Sequence, residues 1–144
     1  MSAEAAAGEP LATLVLEVLP GLVRRLSDAS TGDPVQPLTL SQVRLLKRVA
    51  AGCRLVSELA GGLDVSPPTV SAAVDGLVRR GLLVRQGGAP DRRTVPLALT
   101  AAGAAAVAAA HARQIATLVE LFAQLDEDAR SALARGLRAL GALL

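Results

Sequence analysis

At 144 residues the chain is sized for one compact domain that buries most of its apolar surface, so it needs neither a disulfide nor a metal, and its lone cysteine cannot make an internal bridge. One Phe and no Trp or Tyr leave no platform on which the bases of single-stranded nucleic acid would stack. The net charge of +2 is unevenly spread: residues 44–93 hold nine Arg and Lys against four acids, a local +5 that leaves −3 for the two flanks, which suggests that the middle of the chain faces a polyanion.

The opening MSAEAAAGEP is acidic and lacks the basic start and apolar run of a secretory signal, so a cytoplasmic protein is expected. Leu11, Leu14, Val15, Val18, Leu19, Leu22, Val23 and Leu26 recur at three and four residue steps and predict an amphipathic helix over 10–28, kinked at Pro20. Residues 29–38, with Gly32, Pro34 and Pro37, read as a loop. Thr39 and Gln42 form a capping-box pair that opens a helix through about Ala51, ended by Gly52. A short helix from about Val56 to Leu63 follows, with a turn through Gly61, Gly62 and Asp64. Ser66, Pro67 and Pro68 start another: serine caps well, and proline is tolerated in the first turn, where its missing N–H costs nothing. Its end is legible too, with Arg79 and Arg80 against the negative end of the dipole, Gly81 as a left-handed residue, and Leu82 folding back on Leu77.

Residues 82–85 and 94–99 read as extended, the second alternating Val95, Leu97 and Leu99 with Thr94, Pro96 and Ala98 as an edge strand. Between them lies an arginine-rich hairpin tip containing Gly87, Gly88 and Pro90. A long helix capped by Thr100 carries Ala104, Val107, His111, Ile115, Leu118, Phe122 and Leu125 on one stripe, and the last helix opens with Asp126, Glu127 and Asp128 and bears Leu133, Leu137, Leu140 and Leu144. Residues 94–112 carry no formal charge, but Thr94, Pro96, Thr100 and Gly103 interrupt them and alanine adds little transfer energy, so no membrane span is expected where roughly 18 apolar residues are needed.

The expected architecture is therefore mainly α with a small β-hairpin wing. A short helix, a tight turn, a second helix ending in glycine and then a basic hairpin is the sequence form of a winged helix-turn-helix. The second helix suits the major groove of double-stranded DNA, and the thin hairpin can lay an arginine along the minor groove. Singly these signals are weak; their order and spacing make them specific.

The run SELAGGLDVSPPTVSAAVDGLVRRGLLVRQGGAPDRRTVPLALTAAG resembles the signature of the MarR family of transcription regulators. Its features are a Glu-Leu-Ala helix, a Ser-x-x-Thr-Val-Ser recognition helix, an Arg-Gly-Leu turn, an Asp-x-Arg wing and a Leu-Thr-x-x-Gly helix start. The resemblance implies a single chain over 1–144 with its DNA-binding region at 39–99 and dimerisation helices at 10–28 and 100–144. It implies a homodimer on a pseudo-palindromic operator, and a repressor that responds to a small-molecule effector bound between the dimer helices and the winged unit. Carried over by motif, Ser66, Pro67, Pro68, Thr69 and Ser71 would face bases and phosphates. Asp91 would orient Arg93 in the minor groove, with Arg92 serving a phosphate. Many members have Arg where this chain has Ala72, so affinity leans on the wing and on Arg79, Arg80 and Arg85, unless the last three sit too far back; Pro67, Pro68 and Ala72 can still meet a thymine methyl.

Competing readings stand beside these. Arg92 and Arg93 also fit a solvated loop tip, and Ser66 caps its helix whether or not it touches DNA. His111 is either packed or hydrogen-bonded on its stripe, or a ligand or pH-sensing residue. Cys53 is either a small buried hydrophobe or a redox-active thiol beside Arg54; the family's hydroperoxide sensors carry an N-terminal cysteine with tyrosine partners, and this chain has neither. No metal-spaced cluster accompanies His111, the acids at 126–128 are explained by the helix dipole, and Gly87, Gly88 and Pro90 lack the Lys and hydroxyl of a phosphate loop. Neither an enzyme nor a bound cofactor or metal is expected. The alternative to a ligand-responsive repressor is an architectural or protein-interaction winged helix without effector control.

Overall fold

The computed structural model describes residues 3–33, 35, 37–87 and 95–144. The first helix, α1 (Ala3–Thr31), runs on through Pro10 and Pro20. It also takes in residues 29–31, which the sequence placed in a loop. Ser30 explains the extension: it is fully buried, donates to the Leu26 carbonyl at 2.8 Å and accepts from Gln114 Nε2 at 2.8 Å, so the last turn is held by packing rather than by propensity.

Helix α2 (Leu40–Ala50) begins with the expected box, Gln42 N donating to Thr39 Oγ1 and Thr39 N donating to Gln42 Oε1. In α3 (Val56–Leu63) the Glu58 carboxylate accepts from the Arg54 and Leu55 amides, and Gly61 and Gly62 are helical rather than part of the turn. Asp64, at φ 54°, makes the left-handed stop on its own. Helix α4 (Pro67–Arg79) closes as a Schellman motif, with Leu82 N bonded to Leu77 O at 3.0 Å, Gly81 N to Val78 O at 2.9 Å, and Gly81 at φ 72°.

Strands β1 (Leu83–Arg85) and β2 (Leu97–Leu99) pair antiparallel with Leu83 opposite Leu99 and Arg85 opposite Leu97. Both are shorter than expected. The Leu82 amide is spent on closing α4, and Pro96 has no N–H for a ladder, although its carbonyl accepts from Gln86 N at 2.7 Å. Leu97 N turns the other way and donates to Arg54 O at 2.8 Å, so the turn before α3 covers the outer edge of β2.

Helix α5 (Ala101–Phe122) is capped by Thr100, whose hydroxyl accepts from Gly103 N and donates to Gly81 O. Helix α6 (Glu127–Gly141) is capped by Asp126. The core is built from α2, α3, α4 and the hairpin root, with Leu38, Leu46, Leu59, Leu77, Leu82 and Leu97 fully buried and Ala110 of α5 closing it. On α5 the buried positions are Gly103, Ala110 and Gln114, not the apolar stripe, of which Ala104, His111 and Ile115 are exposed. Small side chains let the helix approach, so part of its bulkier stripe is left exposed while Val107 packs against the core and Leu118 and Phe122 are half-buried. Leu11, Leu14 and Leu16 of α1 and Leu133, Leu137 and Leu140 of α6 are exposed as well. Among the described residues no helix is long and apolar enough to cross a membrane.

Gly103 explains the glycine of the Leu-Thr-x-x-Gly start: a Cβ there would fall on the Leu82 carbonyl oxygen. Gly103→Ala should therefore lower unfolding free energy by about 1–3 kcal/mol in urea titration. Gly61→Ala, in open space within α3, should raise it by about 0.5–1 kcal/mol.

Candidate nucleic-acid interface

Helix α4 buries Val70, Val74 and Leu77 and turns its first residues outward. Ser66, Pro67, Pro68, Thr69 and Ala72 are exposed and Ser71 is half-buried, so the start of α4 leaves these side chains accessible. Pro67 and Pro68 remove two of the N–H groups that a helix start normally leaves open, and the Thr69 N–H is turned onto Ser66 Oγ at 3.4 Å. This helix start is therefore a poor backbone cradle for phosphate. What it offers is two hydroxyls, Ser66 Oγ and Thr69 Oγ1, 2.7 Å apart, and the apolar faces of two prolines and an alanine.

The arginines behind it divide. Arg79 is exposed. Arg80 donates to Pro37 O at 2.9 Å and to Gln42 Oε1 at 3.5 Å, pinning the end of α4 to the start of α2. Arg85 donates to Asp75 Oδ1 at 2.7 Å. Two of the three arginines weighed as auxiliary DNA contacts are thus engaged within the fold, a pairing that no local sequence pattern announces. Arg48 Nη2 donates to Gly62 O and ties α2 to α3. The wing residues Asp91, Arg92 and Arg93 lie outside the described residues.

A second feature lies between α2 and α5. An open cleft of about 280 Å³ is lined by Lys47, Ala50, Leu99, Ala104, Val107, Ala108 and His111. His111 is exposed at this cleft rather than packed on an apolar face, and is hydrogen-bonded: its Nδ1 lies 3.1 Å from Lys47 Nζ. An ammonium has only protons to give, so Nδ1 accepts. Lys47 also reaches Gln114 Oε1 at 3.5 Å, and Gln114 continues to buried Ser30, linking α2, α5 and α1 by side chains. Sequence reasoning missed Lys47, Gln114 and Ser30; a glutamine inside an alanine-rich helix was the available signal. Cys53 is half-buried against the core and does not line the cleft. Among the described residues no three His, Cys, Asp or Glu side chains are grouped to hold a metal.

Residues 36–94 match the model of the MarR family. The chain is similar in structure to the MarR family protein Rv2887 of Mycobacterium tuberculosis, at 27% identity, covering 92% of this chain and 94% of that one with a TM-score of 0.75. Wild-type MarR of E. coli in its apo form is 25% identical, with 91% and 96% covered and a TM-score of 0.75. MepR, a transcription regulator of the Staphylococcus aureus multidrug efflux pump MepA, shares the fold at 21% identity, with 92% and 98% covered and a TM-score of 0.75. No protein of curated function matches the chain.

Because Ser66 caps α4, Ser66→Ala should cost about 1 kcal/mol in urea unfolding, whereas Ser66→Asp, which keeps a capping oxygen, should leave stability within about 0.5 kcal/mol of the parent.

Proposed function

We propose that this chain, MarR-type in fold along its length and in sequence at residues 36–94, binds pseudo-palindromic double-stranded DNA as a cytoplasmic homodimer and represses transcription. It acts as a regulator rather than as an enzyme, a reading supported by the family match at residues 36–94 and by the fold it shares with the transcription regulator MepR. The observation that carries the DNA-binding reading is the exposed first turn of α4, raised above a fully buried core and followed directly by the hairpin. Its hydroxyls and apolar faces suit phosphate oxygens and thymine methyls in the major groove. Arg93 is assigned to the minor groove, oriented by Asp91, with Arg92 on a phosphate.

Dimerisation is supported by the outward apolar faces of α1, α5 and α6, where Leu11, Leu14, Leu16, Ile115, Val119, Leu137 and Leu140 are exposed. Two-fold pairing then presents two α4 helices to one side of a duplex, about one helical turn apart. The cleft between α2 and α5 supports control by a small molecule: its lining is mostly apolar, with Ala50, Leu99, Ala104, Val107 and Ala108, and Lys47 and His111 add polar nitrogens.

Titration of a palindromic duplex selected from a random pool should show affinity falling steeply with salt, through counterion release. A scrambled duplex should bind at least a hundredfold more weakly; equal affinity for the two overturns the reading. Arg93→Ala should cost about 1–3 kcal/mol, while Arg138→Ala, on exposed α6, should cost little. Ser66→Asp, although folded, should weaken binding by placing a carboxylate against phosphate. A thermal-shift screen with small phenolic and lipophilic compounds separates effector control from the effector-independent alternative, and sedimentation showing a stable monomer at micromolar concentration removes the two-fold model.

A further inference from the structure

An acid on the outward part of a DNA-reading helix weakens its attraction for phosphate, yet Asp75 sits on α4 in the most basic stretch of the chain. Its partner gives the reason. Arg85 is the last residue of β1 paired with β2, opposite Leu97, and next to it Gln86 N bonds Pro96 O. A two-stranded hairpin with three residue pairs has little stability of its own. Burial of Leu83, Leu97 and Val95 holds one face of the hairpin and the Leu97 N to Arg54 O bond holds the edge of β2, whereas Val84, on the opposite face, is 44% exposed. The Arg85 to Asp75 bond, 2.7 Å long with the side chains 16% and 35% exposed, adds a side-chain link from the last paired residue of β1 back to α4. Short, charge-assisted and partly desolvated, it holds more firmly than an ion pair in open water.

Asp75 lies under two turns along α4 from Thr69. One end of the pair therefore rides on the helix assigned to the major groove, and the other on the strand that leads to the wing.

We propose that Asp75 and Arg85 are positioning residues for duplex reading: their ion pair sets the angle at which the hairpin leaves α4, so that helix and wing enter adjacent grooves together. The inference rests on the DNA-binding reading above. It removes Arg85 from the phosphate contacts and gives Asp75 a role opposite in sign to its charge.

The test uses the full chain and a duplex that the wild-type protein enriches from a randomised pool. Dimethyl sulfate reports guanine N7 in the major groove, and hydroxyl radical reports the minor-groove flanks. Asp75→Asn should keep the N7 protection and lose the flanking protection, with affinity about tenfold lower even though the protein gains one positive charge. Without DNA, the Gln86 amide of this variant should exchange about tenfold faster. Arg85→Gln should behave alike, and Asp75→Glu should restore both readouts. Affinity unchanged or tighter in Asp75→Asn with both footprints intact overturns the proposal, as does parallel loss of both footprints with a drop in global stability. Unchanged Gln86 exchange overturns the tether alone, without touching the DNA-binding reading. A wild-type chain that enriches no duplex overturns the DNA-binding reading and this role with it.

Discussion

The backbone of Leu82 is used on every side. Its N–H closes α4 through Leu77 O, its carbonyl accepts from Thr100 N, and Gly103 leaves that carbonyl room to lie against the first turn of α5, while the side chain is fully buried. Three elements meet at this residue: α4, proposed above as the reading helix, the hairpin, and the helix α5 that leads to the exposed apolar face. None can shift without disturbing one of these bonds, and an unpaired buried amide or carbonyl costs roughly 1–3 kcal/mol. The junction of α4, the hairpin root and α5 is therefore a backbone property, and only the angle at which the hairpin leaves α4 is left to a side-chain pair, Asp75 with Arg85.

That frame was legible where the chemistry is local. Thr39 with Gln42, Ser66 before two prolines, Arg80-Gly81-Leu82 and Thr100 with Gly103 each specify an element boundary through one or two hydrogen bonds within five residues, and the structure forms all of them. Where a boundary depends on distant packing, the sequence misled. Residues 29–31 look like a loop because Gly32 and two prolines follow, yet Ser30 reaches across to Gln114 and the helix persists. Gly61 and Gly62 look like a turn, yet the turn is made by Asp64.

The candidate site divides the same way. The exposed turn of α4 could be read from capping and proline rules. The internal engagement of Arg80 and Arg85 could not, because Pro37, Gln42 and Asp75 are brought to them only by the tertiary fold. Basic residues in a DNA-facing segment are easily counted as contacts, and here part of that positive charge is structural. The periodicity of α5 was likewise real, but periodicity marks an apolar face without saying which neighbour covers it; the glycine and alanines beside it took the inward position.

The paired prolines at the start of α4 have a thermodynamic consequence. Two fixed φ angles shrink the set of conformations open to this segment before the chain folds, so less entropy is lost in setting the helix start. In the proposed role, a surface already rigid before contact would need little further ordering, and pre-organisation of this kind favours slow dissociation over adaptability. The same rigidity forbids the small backbone adjustments by which a flexible helix start accommodates an altered base pair. Under the proposed role, discrimination at those positions would come from steric refusal by the rings of Pro67 and Pro68 rather than from selective attraction.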